Sequence, residues 1–295
     1  MDRLTTLLPA WASTTTAAIL VLTTGTIFTL IGPKNLPLGY TVRLLPSLYR
    51  IFRPRYSSSS QKKSKPGISS TSTEPSTQQS GPMTAAHPTI FSHHVTKTKA
   101  YLPDIDINVH KSNSTFFVDA DISRAALLSS LLSDGLANLP PSGGKRPKPG
   151  MFLLAGVGCK FLRSIAPLEQ FEVSSRILCW EEGPKGALFV VTYFLRSGMG
   201  EKLAGQHGRE VEVQGGPAAL IKDDKLRKGV FAVMVTRYVF KAGREGVAPE
   251  IVLRAAALMR DGDSGKQHEG GEWIDGESVN MVVRTGLEYV AGCML

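Results

Sequence analysis

Cysteine is scarce: only Cys159, Cys179 and Cys293 occur among 295 residues. An odd number without paired spacing indicates neither a disulfide framework nor a CxxC metal site, and a reducing compartment is the simpler setting. Nucleotide signatures are missing as well. Gly156-Val-Gly158 has no third glycine, and Gly198-Met-Gly200 carries Leu203 where that glycine belongs, so neither a P-loop nor a dinucleotide fingerprint is present. The Gly-x-Ser-x-Gly elbow of α/β-hydrolases is absent too, because Gly262-Asp-Ser-Gly-Lys266 misses its last glycine. His93-His94 lacks the aspartate that follows in acyl-transferring condensation motifs. Zinc and nucleotide are therefore unsupported.

Acidic residues are also lacking from most of the N-terminal third. Lys34, Arg43, Arg50, Arg53, Arg55, Lys62, Lys63 and Lys65 arrive with no acid among them. The formal net charge of +9 and the pI near 9.5 belong mainly to this arm and say little about a substrate. Charge of either sign is absent from Trp11 to Gly32. That stretch is about long enough to cross a hydrocarbon core, which needs roughly 20 residues, and its threonines can bond back to helix carbonyls. A transmembrane helix is expected here, in preference to a cleaved signal peptide or a disordered leader. The basic flank then leaves the body on the cytosolic side of a single-pass protein, with the endoplasmic reticulum as one such membrane. Leu36 to Tyr56 mixes leucines and aromatics with arginines, which suits an arm lying on an anionic membrane surface. No nucleic-acid-binding module is recognisable, so nucleic acid is not expected as a partner.

These shifts divide the chain into a membrane anchor and basic arm over residues 1–56, a Ser/Thr/Pro-rich linker over 57–83 and a folded body over 84–295. The linker has almost no large apolar residue to offset the entropy of ordering, so it is expected to be disordered. A second low-complexity patch over 140–150 reads as a surface loop.

Within the body, Val118, Ile122, Ala125, Leu128, Leu132 and Leu136 recur at spacings of three and four, widened by Leu127 and Leu131. That predicts a buried helix capped by Ser114 or Thr115, with Asp119 and Asp121 complementing its positive end. Strands rich in Val, Phe, Ile and Tyr follow at Met151 to Leu162, Phe171 to Trp180, Ala187 to Leu195 and Gly229 to Phe240. The third is apolar throughout and reads as covered on both faces. One long helix followed by consecutive strands argues an α+β domain in which an antiparallel sheet wraps the helix.

The entrance to that helix is crowded with polar side chains: Asp104-Ile-Asp106-Ile-Asn-Val-His110-Lys-Ser-Asn113. Acids and amides beside the backbone N–H groups of a helix start can hold a carboxylate ready for proton transfer or attack. Each residue also has a plainer reading. Asp106 can cap a turn, His110 can be a structural hydrogen-bonding residue, Asn113 can organise the loop, and Asp121 with Arg124 can form an ion pair on or near the helix surface.

The segment Asp104, Asp106, His110, Asn113, Phe116, Ala120, Asp121 and Arg124 follows, without gaps, the pattern D-x-D-x-x-x-H-x-N-N-x-x-Y-x-x-x-A-D-x-x-R. Ser112 stands for the first asparagine and Phe116 for the tyrosine. A second stretch, from Lys160 to Val173 and on to Trp180-Glu-Glu182, is similar to R-x-L-x-x-L-x-P-F-E-V and W-D-D, with a small insertion. Together they make the body, roughly Ile90 to Phe240, resemble the hotdog-fold thioesterases, 4-hydroxybenzoyl-CoA thioesterase type. Within these it is most similar to fungal and animal proteins like thioesterase superfamily member six. The resemblance implies a hotdog fold, a homodimer and hydrolysis of an acyl-CoA or acyl carrier protein thioester, with no cofactor. It implies Asp106 as base or nucleophile, and backbone N–H groups from Asn113 through Ser114 to Phe116 as oxyanion donors. His110, Asn113, Ser114 and Phe116 would contact substrate or organise the loop. Fungal relatives of this type accompany secondary-metabolite assembly. A hotdog dehydratase acting through His110, or an inactive acyl-binding scaffold, remains an alternative.

Overall fold

The computed structural model describes residues 14–52, 90–141, 148–204, 216–259 and 276–294. The expected linker and the centre of the 140–150 loop lie outside the described residues.

The leucine stripe does form one long helix, α3 (Asn113–Ala137). It begins two residues earlier than the capping signal suggested. Ser112 is the N-cap, in extended conformation and without a side-chain cap bond. Leu127, Leu128, Leu131, Leu132 and Leu136 are buried against Ile177, Trp180, Leu188, Val190 and Tyr238, each leucine contributing about 2 kcal/mol by removal from water.

Those partners come from an antiparallel sheet. Strand β1 (His94–Lys99) precedes α3; β2 (Gly150–Phe161), β3 (Gln170–Trp180), β4 (Leu188–Arg196), β5 (Val230–Ala242) and the short β6 (Glu245–Val247) follow it. The spatial order is β1-β3-β4-β5-β2, with β6 on β5. A helix inserted between the first two strands and wrapped by an antiparallel sheet of this order is the hotdog arrangement. Register places Ser175 opposite Thr192 and Val191 opposite Val235. Alternation follows from the pleat: Leu188, Val190 and Phe194 face α3, while Phe189, Val191, Tyr193 and Leu195 point outward. The outer set is buried as well, under Leu203 of α4 (Met199–Ala204), Leu220, Leu226 and Val290 of α6 (Gly276–Met294). Strand β4 is thus apolar at nearly every position before Arg196 because both of its faces are covered. A further helix, α5 (Pro249–Ala255), closes the C-terminal end of α3 through Val252 and Leu253.

The N-terminal segment differs from expectation. Among the described residues no helix is long and apolar enough to cross a membrane, so the transmembrane helix is not supported. Helix α1 (Thr14–Ile31) has 18 residues, about 27 Å at 1.5 Å per residue against a core of about 30 Å. Its threonines interrupt the apolar surface, and Thr23, Thr26 and Thr29 donate back to the carbonyls of Ile19, Leu22 and Gly25. Helix α2 (Gly39–Phe52) does not stand off as a free arm. It lies along α3, where the Tyr40 hydroxyl donates to Asp121 Oδ2 at 3.3 Å.

Candidate active site

The loop entering α3 is built from the backbone outward. A helical turn at Leu102–Asp104 is fixed by Asp104, whose carboxylate accepts from Tyr101 N–H at 2.9 Å and whose carbonyl accepts from Ser112 N–H at 2.7 Å. Between them the chain makes a tighter loop: Asp106 N–H donates to His110 O and Val109 N–H to Asp106 O, both at 3.0 Å. Val109 adopts φ 59° to close it. For a β-branched residue that left-handed conformation is an outlier, holding about 1–3 kcal/mol of strain.

The Asp106 carboxylate accepts from Asn108 N–H at 2.9 Å, and the same oxygen lies 3.5 Å from His110 Nδ1. The turn-capping reading is therefore realised. Asp106 is a quarter exposed and still addresses one functional neighbour, His110.

A cavity of about 300 Å³ opens beside this loop, lined by His110, Lys111, Asn113 and Phe116 from one side and by Phe161, Leu162, Arg163 and Ser164 from the end of β2 on the other. The structure thus brings His110, Asn113 and Phe116 together. Asp106 stands behind His110 rather than in the wall, and Ser114 shares a hydrogen bond of 3.0 Å with Ser112 at the helix mouth. Phe116 forms the floor, edge-on to Phe161 and Phe194 with ring centres 5.2 and 4.8 Å away. Ser112, the N-cap, makes no side-chain cap bond, so its hydroxyl leaves free the first-turn amides, whose positive end starts at Asn113 beside this space. A second cavity, of about 360 Å³ between Glu182, Gly183, Glu250, Ile251 and Arg254, lies among different residues.

Beneath the loop is a cluster of buried charges that the sequence did not reveal. Lys111 Nζ, fully buried, donates to Asp119 Oδ2 and to Thr115 Oγ1, each at 2.9 Å. Lys34, from the turn Pro33–Asn35, enters the same place and lies 2.8 Å from Asp104 Oδ2 and 3.1 Å from Asp119 Oδ2. Its ammonium also sits 5.8 Å from the ring centres of Tyr101 and Phe171. Arg43 of α2 approaches Asp119 at 3.7 Å. Burial pushes the Lys111 ammonium pKa down, the Asp119 carboxylate opposing it. Burial alone would raise the Asp119 carboxyl, but the Lys111 and Lys34 ammoniums hold it below its ordinary range. Asp119 therefore neutralises buried lysines, a role beyond complementing the helix dipole.

Further along α3, Arg124 does pair with Asp121 near the helix surface, where the carboxylate is exposed but the guanidinium is buried. Its guanidinium also donates to the Thr236 hydroxyl, while Nε is buried without a partner. Neither described cysteine is a nucleophile in waiting: burial raises the Cys159 thiol to about 11 and the Cys179 thiol to about 12.

No protein-family model matches the chain. It is 36% identical over 184 residues to "Probable thioesterase atnL" of Emericella nidulans, a match covering 58% of this chain and 56% of that protein. Identity to thioesterase poxG of Penicillium oxalicum is 35% over 178 residues, covering 58% and 55%. The chain thus spans little more than half the length of the curated relatives it matches. Among solved structures, the YbaW "Probable Thioesterase" of Escherichia coli aligns with a TM-score of 0.37 at 12% identity, covering 56% of this chain and 96% of that one.

Proposed function

We propose, from the premise that this chain belongs among the thioesterase-like proteins of fungi, that it hydrolyses acyl thioesters of CoA or of an acyl carrier protein to free acid and thiol. The observation that supports this most directly is that His110, backed by the Asp106 carboxylate at 3.5 Å, meets the first turn of α3 at one cavity. The acyl carbonyl enters beside Asn113 and Phe116, where first-turn amides of α3 polarise it; such donors are worth about 3 kcal/mol where tested in other enzymes. Asp106 acts as the general base or nucleophile, His110 orients it, and Ser114 and Asn113 shape the entrance. Neither step requires a cofactor. Secondary metabolism is the proposed setting.

Two further readings belong with this one. Strand β2 pairs only with β5 among the described residues and exposes Met151, Leu153 and Leu154 before ending at Phe161 of the cavity. A second copy adding to that edge would form a homodimer and wall the cavity. Helix α1 exposes Ile19, Leu20, Val21, Leu22 and Ile27, and α2 exposes Tyr49 and Phe52 beside the basic residues. We place this surface in the headgroup region of an anionic membrane, with the body on the cytosolic side. Flotation with phosphatidylserine vesicles tests that seat, and failure to float overturns it.

The deciding experiment is thiol release from a panel of acyl-CoAs and acyl-pantetheines by the full chain and by Asp106→Asn. Release by the parent and at least a hundredfold loss in the variant are expected. Release by neither, or equal release by both, refutes the assignment. One observation favours a second reading: His110 lines the cavity and Asp106 does not, as a dehydratase or hydratase working through His110 would require. Loss of the conjugated absorbance of an enoyl thioester without thiol release would decide for it.

A further inference from the structure

The turn Pro33–Asn35 carries the least expected buried side chain of the molecule. Lys34 sits among Asp104 and Asp119, with its side chain and that of Asp104 each 7% exposed. Its two acidic contacts divide the structure in a telling way. Asp119 belongs to α3, 85 residues away in sequence, and already holds Lys111. Asp104 belongs to the loop and is the residue that begins and ends it: its carboxylate holds Tyr101 N–H and its carbonyl holds Ser112 N–H, the N-cap of α3. A carboxylate buried at a loop hinge needs a cation, since an unpaired one would neutralise or move toward water. Lys111 is committed to Asp119 and Thr115, so Lys34 is the ammonium in hydrogen-bonding distance of Asp104.

We propose that Lys34 is a positioning residue for the candidate active loop: the N-terminal segment, through this one ammonium, pins Asp104 to α3 and so fixes where the 104–112 loop presents Asp106 and His110. The substrate-facing role of that loop rests on the thioester reading, whereas the pinning itself does not. The N-terminal segment is then a component of the site rather than only a means of attachment. Lys34 touches neither Asp106 nor the cavity wall; it acts through Asp104.

The test uses the full chain with Lys34→Met, and Asp104→Asn as a second variant that keeps an acceptor for Tyr101 N–H but removes the charge that Lys34 meets. Amide hydrogen exchange is followed alongside thiol release from acyl-CoA. In both variants the amides of Asp106, Val109, Lys111 and Ser112 are expected to exchange at least tenfold faster, while those of β3 to β5 keep their protection. The value of kcat is expected to fall at least tenfold with KM changed less than threefold. Unchanged protection of the loop overturns the proposal. Equal loss of protection throughout the sheet also overturns it, because Lys34 would then be a general stabiliser. If the parent releases no thiol, the thioester reading fails, and exchange alone judges the pinning. If Lys34→Met does not fold, Asp104→Asn carries the same outcomes.

Discussion

Replacing Gly135 by alanine sets two effects of known sign against each other. In an open helix the change gains about 1 kcal/mol, because glycine loses more backbone entropy on folding. At Gly135 the space is occupied. An added Cβ would lie 2.8 Å from Ala256 N and 2.9 Å from Ala256 Cβ, with the Val252 carbonyl oxygen closer still. These are mainly backbone atoms, and Ala256 N–H already donates to Val252 O at 2.9 Å, so relief requires α5 to shift as a unit. Forcing an extra methyl into a packed contact costs about 1–3 kcal/mol. Overpacking therefore wins, and Gly135→Ala is expected to lose on the order of 1 kcal/mol net, a fall in Tm of about 2–4 °C. Gly25 in α1 has no atom within 4 Å of an added Cβ, so alanine there shows the propensity gain alone. Urea midpoints followed by tryptophan fluorescence measure both variants. A Gly135→Ala chain as stable as its parent, or more so, would refute the seating of α5 on α3.

Other expectations follow from the site and its surroundings. Phe116→Ala removes a ring held between Phe161 and Phe194 and is expected to cost about 3–5 kcal/mol; a urea midpoint near the parent's would mean the floor of the cavity is not packed. The Asp119 carboxyl is held below its ordinary range in the fold, against about 3.9 when unfolded. Its contribution is therefore present above about pH 4 and lost as pH falls through the folded value. Asp119→Asn should be clearly less stable than its parent at pH 6, with the gap closing toward pH 2 in parallel urea titrations; a constant gap contradicts the ion cluster. Raised thiol values predict that the half-buried Cys159 and the buried Cys179 react slowly with a thiol reagent at pH 7.5. In a Cys293→Ser chain, both remaining thiols should gain reactivity on adding guanidinium, and rapid reaction of Cys179 without it would contradict its burial.

Much of the body could be read from residue order because the signals are local. The leucine spacing predicted α3, the apolar run from Ala187 to Leu195 predicted a strand covered on both faces, and the spacing from Asp104 to Asn113 marked the loop. What escaped was set by distant partners. Lys34 looked like one more arm charge, since Asp119 lies 85 residues on. Arg124 looked like a surface residue until Thr236 and the sheet closed over it. The place of Asp106 behind His110 depends on Val109 taking a left-handed conformation, which a β-branched residue gives no reason to expect. The helix start was misplaced by two residues because Ser112, Ser114 and Thr115 carry the same capping signal, and only the register of the bridge between Ile105 and Lys111 selects Ser112.

The two borders of the sheet are unlike in a way that limits growth. Strand β1 is six residues long and carries Lys97 and Lys99, charges that repel an incoming strand. Strand β2 is twice that length, with exposed methionine and leucine. Strand addition between copies is therefore favoured at only one border of each molecule. The β2–β2 pairing proposed above would use up the receptive border of both partners and close, whereas a chain with two receptive borders could go on adding copies. On that reading the lysines of β1 would act as a stop, and replacing both with valine would open a second receptive border.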